Sequence, residues 1–476
     1  MKHAVASGLV ATGVALGWLV PAASSANAPG PRLRGGHGLH VVAQRRVDER
    51  EVNATMVTSA LGKTPVDVRV ALPVGYAAYP AKRYPTLYLY AGTGEHAGDW
   101  TTYGDIEKLT AHRQMIVVMP DVGFGAGDGW FSNWLNRDSS LGPNQWETFQ
   151  IDQLIPWVDE NFRTIADRSG RAVAGLSQGG FGAMIAATRH PDLFAAVASF
   201  SGAVDVAYGN PVQQVVWHSF VVGTSIADVV PPFSVFGDPV DHEVNWQGHD
   251  PTTLVTNLRG MDVHLYTGNG VPGPYDKPQS IPLASIEVLA HWQTHTMFDH
   301  AAALHVPMKL TDYGPGTHSW PYWIHDLRHW LPELTRVWAS RPRVPAHVTY
   351  ESTAPRWSQW GWTVDDRRTV PEQFTELYKA GRAEFVLQGE GTARVTTPPF
   401  YRGYSRVAAD SMSHGHTRHL AFTPDRNGRI TLTVKLPATV RLYPGDLDEM
   451  RPSRRAEGLT TSRSRRSRIT WRAALS

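Results

Sequence analysis

A serine, a histidine and a choice of two carboxylates give this sequence the side chains needed for nucleophilic catalysis. Ser177 lies in the string GLSQG, where a serine stands between two glycines at the spacing of a nucleophile turn. A serine hydroxyl is a weak nucleophile, and it needs a base to take its proton and an acid to orient that base. The same spacing also occurs at ordinary turns, so the surrounding residues must decide between a nucleophile and a turn serine.

The residues around Ser177 favour a strand, a tight turn and a helix. Residues 172–174 form a short apolar run, and Phe181, Met184 and Ile185 are spaced as one face of a helix. In this arrangement the turn presents the Ser177 hydroxyl beyond the carboxyl end of the strand.

The glycines on either side of the serine fit the same arrangement. A Cβ atom at Gly175 or Gly179 would collide with the neighbouring turn, so both positions favour glycine. The backbone N–H of Gln178 would then be aimed at the oxyanion that forms when the serine attacks a carbonyl group. The pattern therefore predicts Ser177 as a nucleophile and Gln178 as an oxyanion-hole donor.

Among the 21 histidines, His318 is the one placed to act as the base. It follows the last long apolar run, in the glycine-rich turn of YGPGTHSWPYW, and in serine hydrolases of this kind the histidine is the last triad member along the chain. Two acids are available by strand position. Asp276 follows the strand that ends at Thr267, and Glu287 lies farther along, near the start of a helix. Composition and spacing do not choose between them.

These side chains need a sheet whose strands end at one edge. Six continuous apolar runs alternate with helical stretches, at 86–92, 115–121, 172–175, 195–202, 262–268 and 306–314, and three β-type runs around Val41, Met56 and Val68 precede them. Strands that are apolar on both faces and alternate with helices indicate a mostly parallel sheet covered on both sides. The predicted fold class is therefore α/β, a doubly wound sheet that binds ligands at the carboxyl ends of its strands, where Ser177 lies.

The composition along the chain predicts five segments, of which three precede the β-rich part. Residues 1–28 combine a lysine, an apolar run and small residues, which is the pattern of a secretory signal peptide, with an uncleaved anchor as the alternative. Residues 29–38 are rich in proline and glycine and are typical of a linker. Residues 39–345 would form the catalytic domain. We expect no stable membrane span once the signal peptide is removed.

The last two segments are a β-rich region and a basic tail. Residues 346–445 contain short strands with tight turns and favour a β-sandwich-like accessory domain. Its Trp357, Trp360 and Trp362 fit alternating core positions, or else a surface that stacks on sugar rings. Residues 446–476 are arginine-rich without an apolar period, which indicates a disordered tail or, as the alternative, an arm for anionic polymers.

The composition excludes several classes of function. The 476 residues carry a net charge of +2, which gives no sign of nucleic-acid binding. The absence of cysteine excludes a cysteine nucleophile, thiolate zinc sites and iron–sulfur clusters. Serine chemistry requires no metal and no organic cofactor. His242, His249 and Asp250 resemble a ligand cluster, but an exposed loop is the preferred interpretation.

Several strings beyond the serine turn carry a family resemblance. GLSQGG, GNGVP, IPLASIEVLAHW and GTHSWPYW, together with WETF at 146–149 and HDP at 249–251, resemble the secreted mycolyltransferases (antigen 85-like) and the wider esterase family around them, within the α/β-hydrolase superfamily. The likeness covers roughly residues 55–345. The GTHSWPYW string and the segments before it are far more specific than the serine motif.

The resemblance implies a role for individual residues. It makes Ser177 the nucleophile, Glu287 the acid and His318 the base, and so it prefers Glu287 to Asp276. It also implies that the backbone N–H of Thr93, in the loop after an early strand, is the second oxyanion donor.

The same loop departs from the family. Where the mycolyltransferases carry an aspartate and an arginine that hold trehalose, this chain has Ala91 and Gly94. This departure leaves the acyl chemistry in place and argues against trehalose recognition. Hydrolysis of an acyl or lipid ester is then the default, whereas the family implies transfer of the acyl group to a sugar or to diacylglycerol.

The sequence thus predicts a secreted serine esterase or acyltransferase that acts on carboxylic esters through a Ser177 acyl-enzyme. The alternative is a secreted, non-catalytic protein whose β-rich region binds cell-wall polysaccharide while the hydrolase fold is only a scaffold. Turnover of a simple ester separates the two.

Overall fold

A computed structural model describes most of the chain. The described residues are 32–124, 129–209, 211–277, 284–368, 370–413, 416–436 and 467–472. The predicted signal peptide lies outside them. Every helix within the described ranges is too short or too polar to span a lipid bilayer.

A nine-stranded sheet forms the centre of the first 345 residues. In chain order its strands are β1 (His40–Arg46), β2 (Glu51–Val57), β3 (Val66–Ala71), β4 (Thr86–Tyr90), β5 (Ile116–Pro120), β6 (Arg171–Leu176), β7 (Ala196–Phe200), β8 (Asp262–Thr267) and β9 (Lys309–Asp312). The spatial order is β1-β2-β3-β5-β4-β6-β7-β8-β9. The first three strands pair antiparallel, and β3 also runs antiparallel to β5. From β5 to β9 all pairs are parallel, as the continuous apolar runs predict.

Helices cover both faces of this sheet. They are α1 (Asp99–Thr102), α2 (Ile106–Thr110), α3 (Ile155–Asn161), α4 (Gln178–Arg189), α5 (Pro211–Ala227), α6 (Glu243–Gln247), α7 (Ala284–Ala303) and α8 (Trp320–Ser340), with a π-helical stretch at Thr148–Leu154 leading into α3. Alternate residues of the central strands enter two separate cores. In β4, Tyr88 and Tyr90 belong to the core shared with α4, α5 and α7, whereas Leu87 and Leu89 belong to the core under α1, α2 and α8. The predicted α/β fold class is confirmed.

The C-terminal region consists of two antiparallel sheets. Its strands are β10 (Val348–Ser352), β11 (Arg356–Gln359), β12 (Trp362–Arg367), β13 (Thr375–Ala380), β14 (Glu384–Gln388), β15 (Gly391–Thr396), β16 (Val407–Ser413), β17 (His416–Phe422), β18 (Thr431–Leu436) and β19 (Ser467–Arg472). The six-stranded sheet has the order β10-β13-β14-β19-β16-β17, and the four-stranded sheet has the order β11-β12-β15-β18. One apolar core lies between them and includes Trp357 and Trp362. These two tryptophans are therefore core residues and not a sugar-stacking surface.

Hydrogen bonds fix this β region against α4 and the short 3₁₀ helix Val255–Leu258. The Tyr350 hydroxyl donates to the backbone carbonyl of Arg189 at 2.8 Å. The side chain of Asn257 donates to the Glu351 carbonyl and accepts from the Glu351 N–H, both at 2.9 Å. Buried polar groups that satisfy one another in this way hold two elements in one register.

The expectation of a disordered tail is wrong for residues 467–472. They form β19, which lies between β14 and β16 in the six-stranded sheet. Ile469 and Trp471 are buried, whereas Arg468 is half exposed and pairs with Glu384. This is a period-two strand, and its arginines hide the apolar alternation when composition is averaged over the whole tail. Residues 446–466 lie outside the described residues.

We expect Ile469→Ala to lower the free energy of unfolding by about 2–5 kcal/mol, because it removes a fully buried side chain and leaves a cavity. Arg468→Ala is the matched control in the same strand, and an exposed ion pair of this kind contributes at most about 1 kcal/mol. Denaturant unfolding of the two variants makes the comparison. Equal, small losses would mean that β19 does not belong to the cooperative core.

The linker interpretation of residues 29–38 is also wrong for the part that the structure describes. Leu33 is buried. The Trp157 indole N–H donates to the carbonyl of Arg34 at 2.6 Å, and the Arg34 N–H donates to the Asn161 side chain at 2.8 Å. Proline and glycine stop helices and strands, but they do not prevent such hydrogen bonds from holding the segment against α3.

Candidate active site

Ser177 occupies a strained turn at the centre of the sheet. It lies between β6 and α4 with φ 53° and ψ −124°, a conformation that a non-glycine residue rarely adopts. A Cβ atom on Gly175 would lie 2.2 Å from the Gly179 carbonyl oxygen, and one on Gly179 would lie 2.3 Å from the Ala91 carbonyl oxygen. The predicted reason for glycine at both positions is confirmed. The strand, turn and helix therefore place the hydroxyl at the carboxyl edge of the sheet.

His318 and Glu287 form a direct pair near the same edge. The Nδ1 atom of His318 lies 2.8 Å from Oε2 of Glu287, and the Glu287 side chain is inaccessible to solvent. Glu287 comes from α7, and His318 comes from the loop between β9 and α8. An imidazole held by a carboxylate at Nδ1 directs Nε2 away from that carboxylate, where it can accept a proton. This is the geometry of a general base.

Three donors fix the other oxygen of Glu287. Its Oε1 atom accepts from the Ser201 hydroxyl at 2.9 Å, from the Thr267 hydroxyl at 3.0 Å and from the Gly268 N–H at 2.8 Å. These donors satisfy Oε1 and leave Oε2 for the histidine. Sequence reasoning gave Ser201, Thr267 and Gly268 no role in the site, although all three lie at the carboxyl ends of the predicted runs 195–202 and 262–268.

Asp276, the other acid that the sequence offered, does not contact His318 through any hydrogen bond in the described structure. Its carboxylate accepts from the Tyr322 hydroxyl and from the Gly273 N–H, both at 2.7 Å, and from the Thr317 hydroxyl. Asp276 thus holds the residue that precedes His318. Glu287 therefore contacts the histidine, whereas Asp276 stabilises the loop that carries it.

Ser177 and His318 line one cavity of about 500 Å³. The imidazole packs edge-on against the Trp323 ring, with 5.0 Å between centroids. Its Nε2 atom is shielded from solvent and makes no hydrogen bond to the described residues, Ser177 included. Hydrogen bonds between catalytic groups often close only when the substrate is bound.

The loop after β4 lies directly against the serine. A Cβ atom on Gly92 would be 3.2 Å from the Ser177 Cβ and 2.8 Å from a methyl group of Leu176. Thr93 and Gln178 both line the cavity beside Ser177. Because Gln178 is the first residue of α4, its N–H has no acceptor within the helix and lies at the positive end of the helix dipole.

Glu95 is a site residue that sequence reasoning missed. Its carboxylate accepts the Gly92 N–H at 2.6 Å and the Trp320 indole N–H at 2.9 Å, so it ties the loop after β4 to the start of α8. Burial raises the pKa of Glu95, and these two hydrogen bonds only partly oppose that effect. Nothing in the string GTGEH distinguishes this glutamate from a surface charge.

A second buried carboxyl lies close to the acid. Burial raises the pKa of Asp326 on α8 well above its usual range, and the negative charge of Glu287 raises it further. The two buried carboxyl groups therefore interact electrostatically.

The walls of the cavity are apolar and come from three helices. Helix α5 contributes Val216, Trp217 and Phe220, helix α7 contributes Ile286, Leu289 and Ala290, and helix α8 contributes Trp320 and Trp323. Sequence reasoning assigned no role to α5. Yet α5 contains no charged residue over its 17 positions, and Val212, Val215 and Ile226 are exposed on it.

The strings WETF and HDP support the fold outside the cavity. Glu147 forms a buried ion pair with Arg189, 2.7 Å apart, and also contacts His190. Burial alone would raise the pKa of Glu147, but Arg189 and His190 outweigh it and hold that pKa far below its usual range. The HDP carboxylate, Asp250, accepts from the Val206 N–H at 2.7 Å and from Thr253.

The suggested cluster of His242, His249 and Asp250 does not form a ligand set. His249 and Asp250 are buried, which corrects the expectation of an exposed loop. The Nδ1 atom of His249 hydrogen-bonds to the Asn245 carbonyl at 2.8 Å, and His242 pairs with Glu372. Each group is directed to its own partner.

The fold and this site define an α/β-hydrolase. It has an open, mostly parallel sheet, a serine on the turn between a central strand and the next helix, and a carboxylate–histidine pair in later segments. The chain belongs to the family described as "Putative esterase", whose profile matches residues 59–334. The family resemblance carried by the sequence strings is confirmed.

Named relatives include esterases and acyltransferases. "Esterase Rv1288" of Mycobacterium tuberculosis (strain ATCC 25618 / H37Rv) is 36% identical over 243 residues, which are 50% of this chain and 50% of that protein. The chain thus spans about half the length of that relative. "Diacylglycerol acyltransferase/mycolyltransferase Ag85B" of Mycolicibacterium smegmatis (strain ATCC 700084 / mc(2)155) is 26% identical over 296 residues, 56% of this chain and 86% of that protein. The solved structure of Mycobacterium tuberculosis MPT51 (FbpC1) is 22% identical, with a TM-score of 0.47, over 60% of this chain and 97% of that one.

Proposed function

We propose that this protein is a serine esterase or acyltransferase that acts on carboxylic esters with an apolar acyl chain. The observation that carries the proposal is the Glu287–His318 pair, whose imidazole lines the same cavity as Ser177 on its strained turn. The family and its named relatives support the same reaction class. The N-terminal pattern of residues 1–28 supports secretion as part of the proposal.

The reaction begins when Ser177 Oγ attacks the ester carbonyl carbon and its proton moves to Nε2 of His318. Glu287 stabilises the imidazolium that forms. The backbone N–H groups of Gln178 and Thr93 hold the negatively charged oxygen of the tetrahedral intermediate. The carbon–oxygen bond to the leaving alcohol then breaks, the alcohol takes the proton from His318, and an acyl-enzyme remains on Ser177.

Water or a second alcohol then attacks the acyl carbon, and His318 takes its proton. The bond between the acyl carbon and Ser177 Oγ breaks, and His318 returns the proton to Ser177. Positions 91 and 94, at which the mycolyltransferases carry the charged residues that hold trehalose, favour water as the attacking group. Ala91 is buried directly after β4, and Gly94 has open space around its missing side chain. Neither offers a charged group to a sugar, so we propose hydrolysis as the default and transfer to a sugar or glycerolipid as the second route.

The apolar walls predict a preference for longer acyl chains. We expect kcat/KM for p-nitrophenyl esters to rise from acetyl to hexanoyl, by at most about fourfold per methylene, since each buried methylene contributes about 0.8 kcal/mol. Phe220→Ala should flatten this series, because Phe220 forms part of the cavity wall. Val42→Ala on β1, an exposed residue outside the cavity lining, is the control. A series that is flat in the wild-type protein would contradict the acyl-chain assignment.

The alternative, a binding protein for cell-wall polysaccharide, loses its main support. Of the three tryptophans on which it depended, Trp357 and Trp362 are core residues. Trp360 is half-buried against the same core, with the Arg168 guanidinium 5.2 Å from the centre of its ring. Turnover of p-nitrophenyl butyrate by the full chain tests the choice directly. Absence of turnover above background, with the protein folded, would favour the binding protein.

A further inference from the structure

Three metal-ligating side chains converge outside the catalytic cavity. His291 and His295 lie one turn apart on α7, with 4.5 Å between their ring centroids, and Asp312 ends the neighbouring strand β9. Oδ2 of Asp312 lies 3.1 Å from Nε2 of His295 and 3.8 Å from Nδ1 of His291. All three donor atoms lie within 4.8 Å of one another. Among the described residues, this is the only group of three possible metal ligands that lie so close together.

We infer that His291, His295 and Asp312 form a binding site for a late first-row divalent transition metal, with zinc as the expected ion. Two imidazoles and one carboxylate suit zinc, whereas magnesium and calcium prefer oxygen ligands alone. Ligands of a tetrahedral zinc ion lie about 3.3 Å apart, as follows from its bond lengths of about 2.0–2.2 Å. The two separations from Asp312, 3.1 Å to His295 and 3.8 Å to His291, lie on either side of that value, and water would complete the coordination.

Two details favour a ligand set over a simple ion pair. The Nδ1 atom of His291 is shielded from solvent and makes no hydrogen bond to the described residues, so it faces the other two donors without a partner of its own. The second oxygen of Asp312 accepts the Gly314 N–H at 2.9 Å, which fixes the carboxylate with Oδ2 toward the histidines. Hydrogen bonds to the far side of a ligand are the usual support of a metal site.

The position of the site gives the metal a structural role in the enzyme. Glu287, His291 and His295 are four residues apart in turn, so they follow one face of α7. Asp312 pairs with Thr267 in the sheet and precedes the loop that carries His318. A bound metal would therefore link the helix that supplies the acid to the strand that leads to the base. It touches no reacting atom, and its role is positioning and stability.

The test is zinc binding by the full chain, prepared without a histidine tag and stripped with a chelator. Calorimetric titration should give one zinc ion per chain, and zinc should raise the melting temperature. His291→Asn/His295→Asn should weaken binding at least about 100-fold, since even the loss of a supporting group around a metal costs about 10–100-fold. Cobalt should give the visible absorption of a four-coordinate ion, a signature that a metal-free ion pair lacks.

Matched variants decide the outcome. His325→Asn/His329→Asn removes a second pair of histidines one helical turn apart, on α8, with 4.0 Å between their rings. This pair should not contribute, so binding and the zinc-dependent rise in melting temperature should persist. Asp312→Asn tests the third ligand without changing α7. Failure of the folded wild-type chain to bind zinc, or unchanged binding by the folded α7 or Asp312 variants, would overturn the inference. Neither readout depends on ester turnover.

Discussion

Ser177→Ala should lower kcat for p-nitrophenyl butyrate at least about 10³-fold, because the members of a catalytic triad act as one unit and little chemistry remains without the nucleophile. The substitution removes one oxygen and keeps the Cβ atom. The turn at φ 53° therefore keeps its strain, and the melting temperature should stay near that of the wild-type protein. Unchanged stability with lost activity would assign the loss to chemistry.

Two controls sharpen this result. Ser177→Gly should be equally inactive but more stable by about 1 kcal/mol, because glycine relieves the left-handed conformation that costs other residues about 1–3 kcal/mol. Ser219→Ala, on the exposed side of α5, should change neither property, since its hydroxyl donates only to the Val215 carbonyl. Residual activity of Ser177→Ala within tenfold of wild type would mean that another group attacks the ester.

Glu287→Gln should lower kcat at least about 10²-fold. Both carboxylate oxygens of Glu287 are engaged. Oε1 accepts from Ser201, Thr267 and Gly268, and Oε2 lies beside Nδ1 of His318. An amide must turn its NH₂ group toward one of these sets, which either disrupts the three donors or places a donor against the imidazole. In both cases the histidine loses the partner that holds its tautomer and stabilises its charged form.

Asp276→Asn is the matched control, because it makes the same chemical change in the other candidate acid. Asp276 holds Thr317 and Tyr322, and so we expect a small loss in kcat and a modest loss in stability. Stopped-flow or steady-state assays of both variants give the ranking. A larger loss in kcat for Asp276→Asn than for Glu287→Gln would show that the acid is misassigned.

The sequence predicted the parts of the site that depend on local sterics. The need for glycine at 175 and 179 follows from the backbone of one turn. It is confirmed by the structure, in which a Cβ atom at either position would collide with a backbone carbonyl oxygen. The parallel sheet followed from runs that are apolar on both faces, since such runs need cover on both sides. The His318 loop followed from its order along the chain.

Other parts depend on contacts between distant segments and could not be predicted from the residues alone. Spacing alone made Asp276 and Glu287 equally good candidates for the acid, and only the family resemblance favoured Glu287. Glu95 joins the loop after β4 to the start of α8, 225 residues farther along the chain, through its hydrogen bond with Trp320. The strand β19 was hidden because its arginines dominate the composition, although Ile469 and Trp471 alternate as core residues.

The most direct test of the Ser177 mechanism is covalent labelling with an alkyl fluorophosphonate, which transfers its phosphonyl group to an activated serine, releases fluoride and cannot be turned over. Tryptic digestion isolates residues 172–189, where Ser177 and Thr188 are the only hydroxyl side chains and Thr188 is buried. Mass spectrometry should find one label per chain, on Ser177, and no label in Ser177→Ala. A label on any other residue, or ester turnover by a protein whose Ser177 stays unlabelled, would contradict the mechanism.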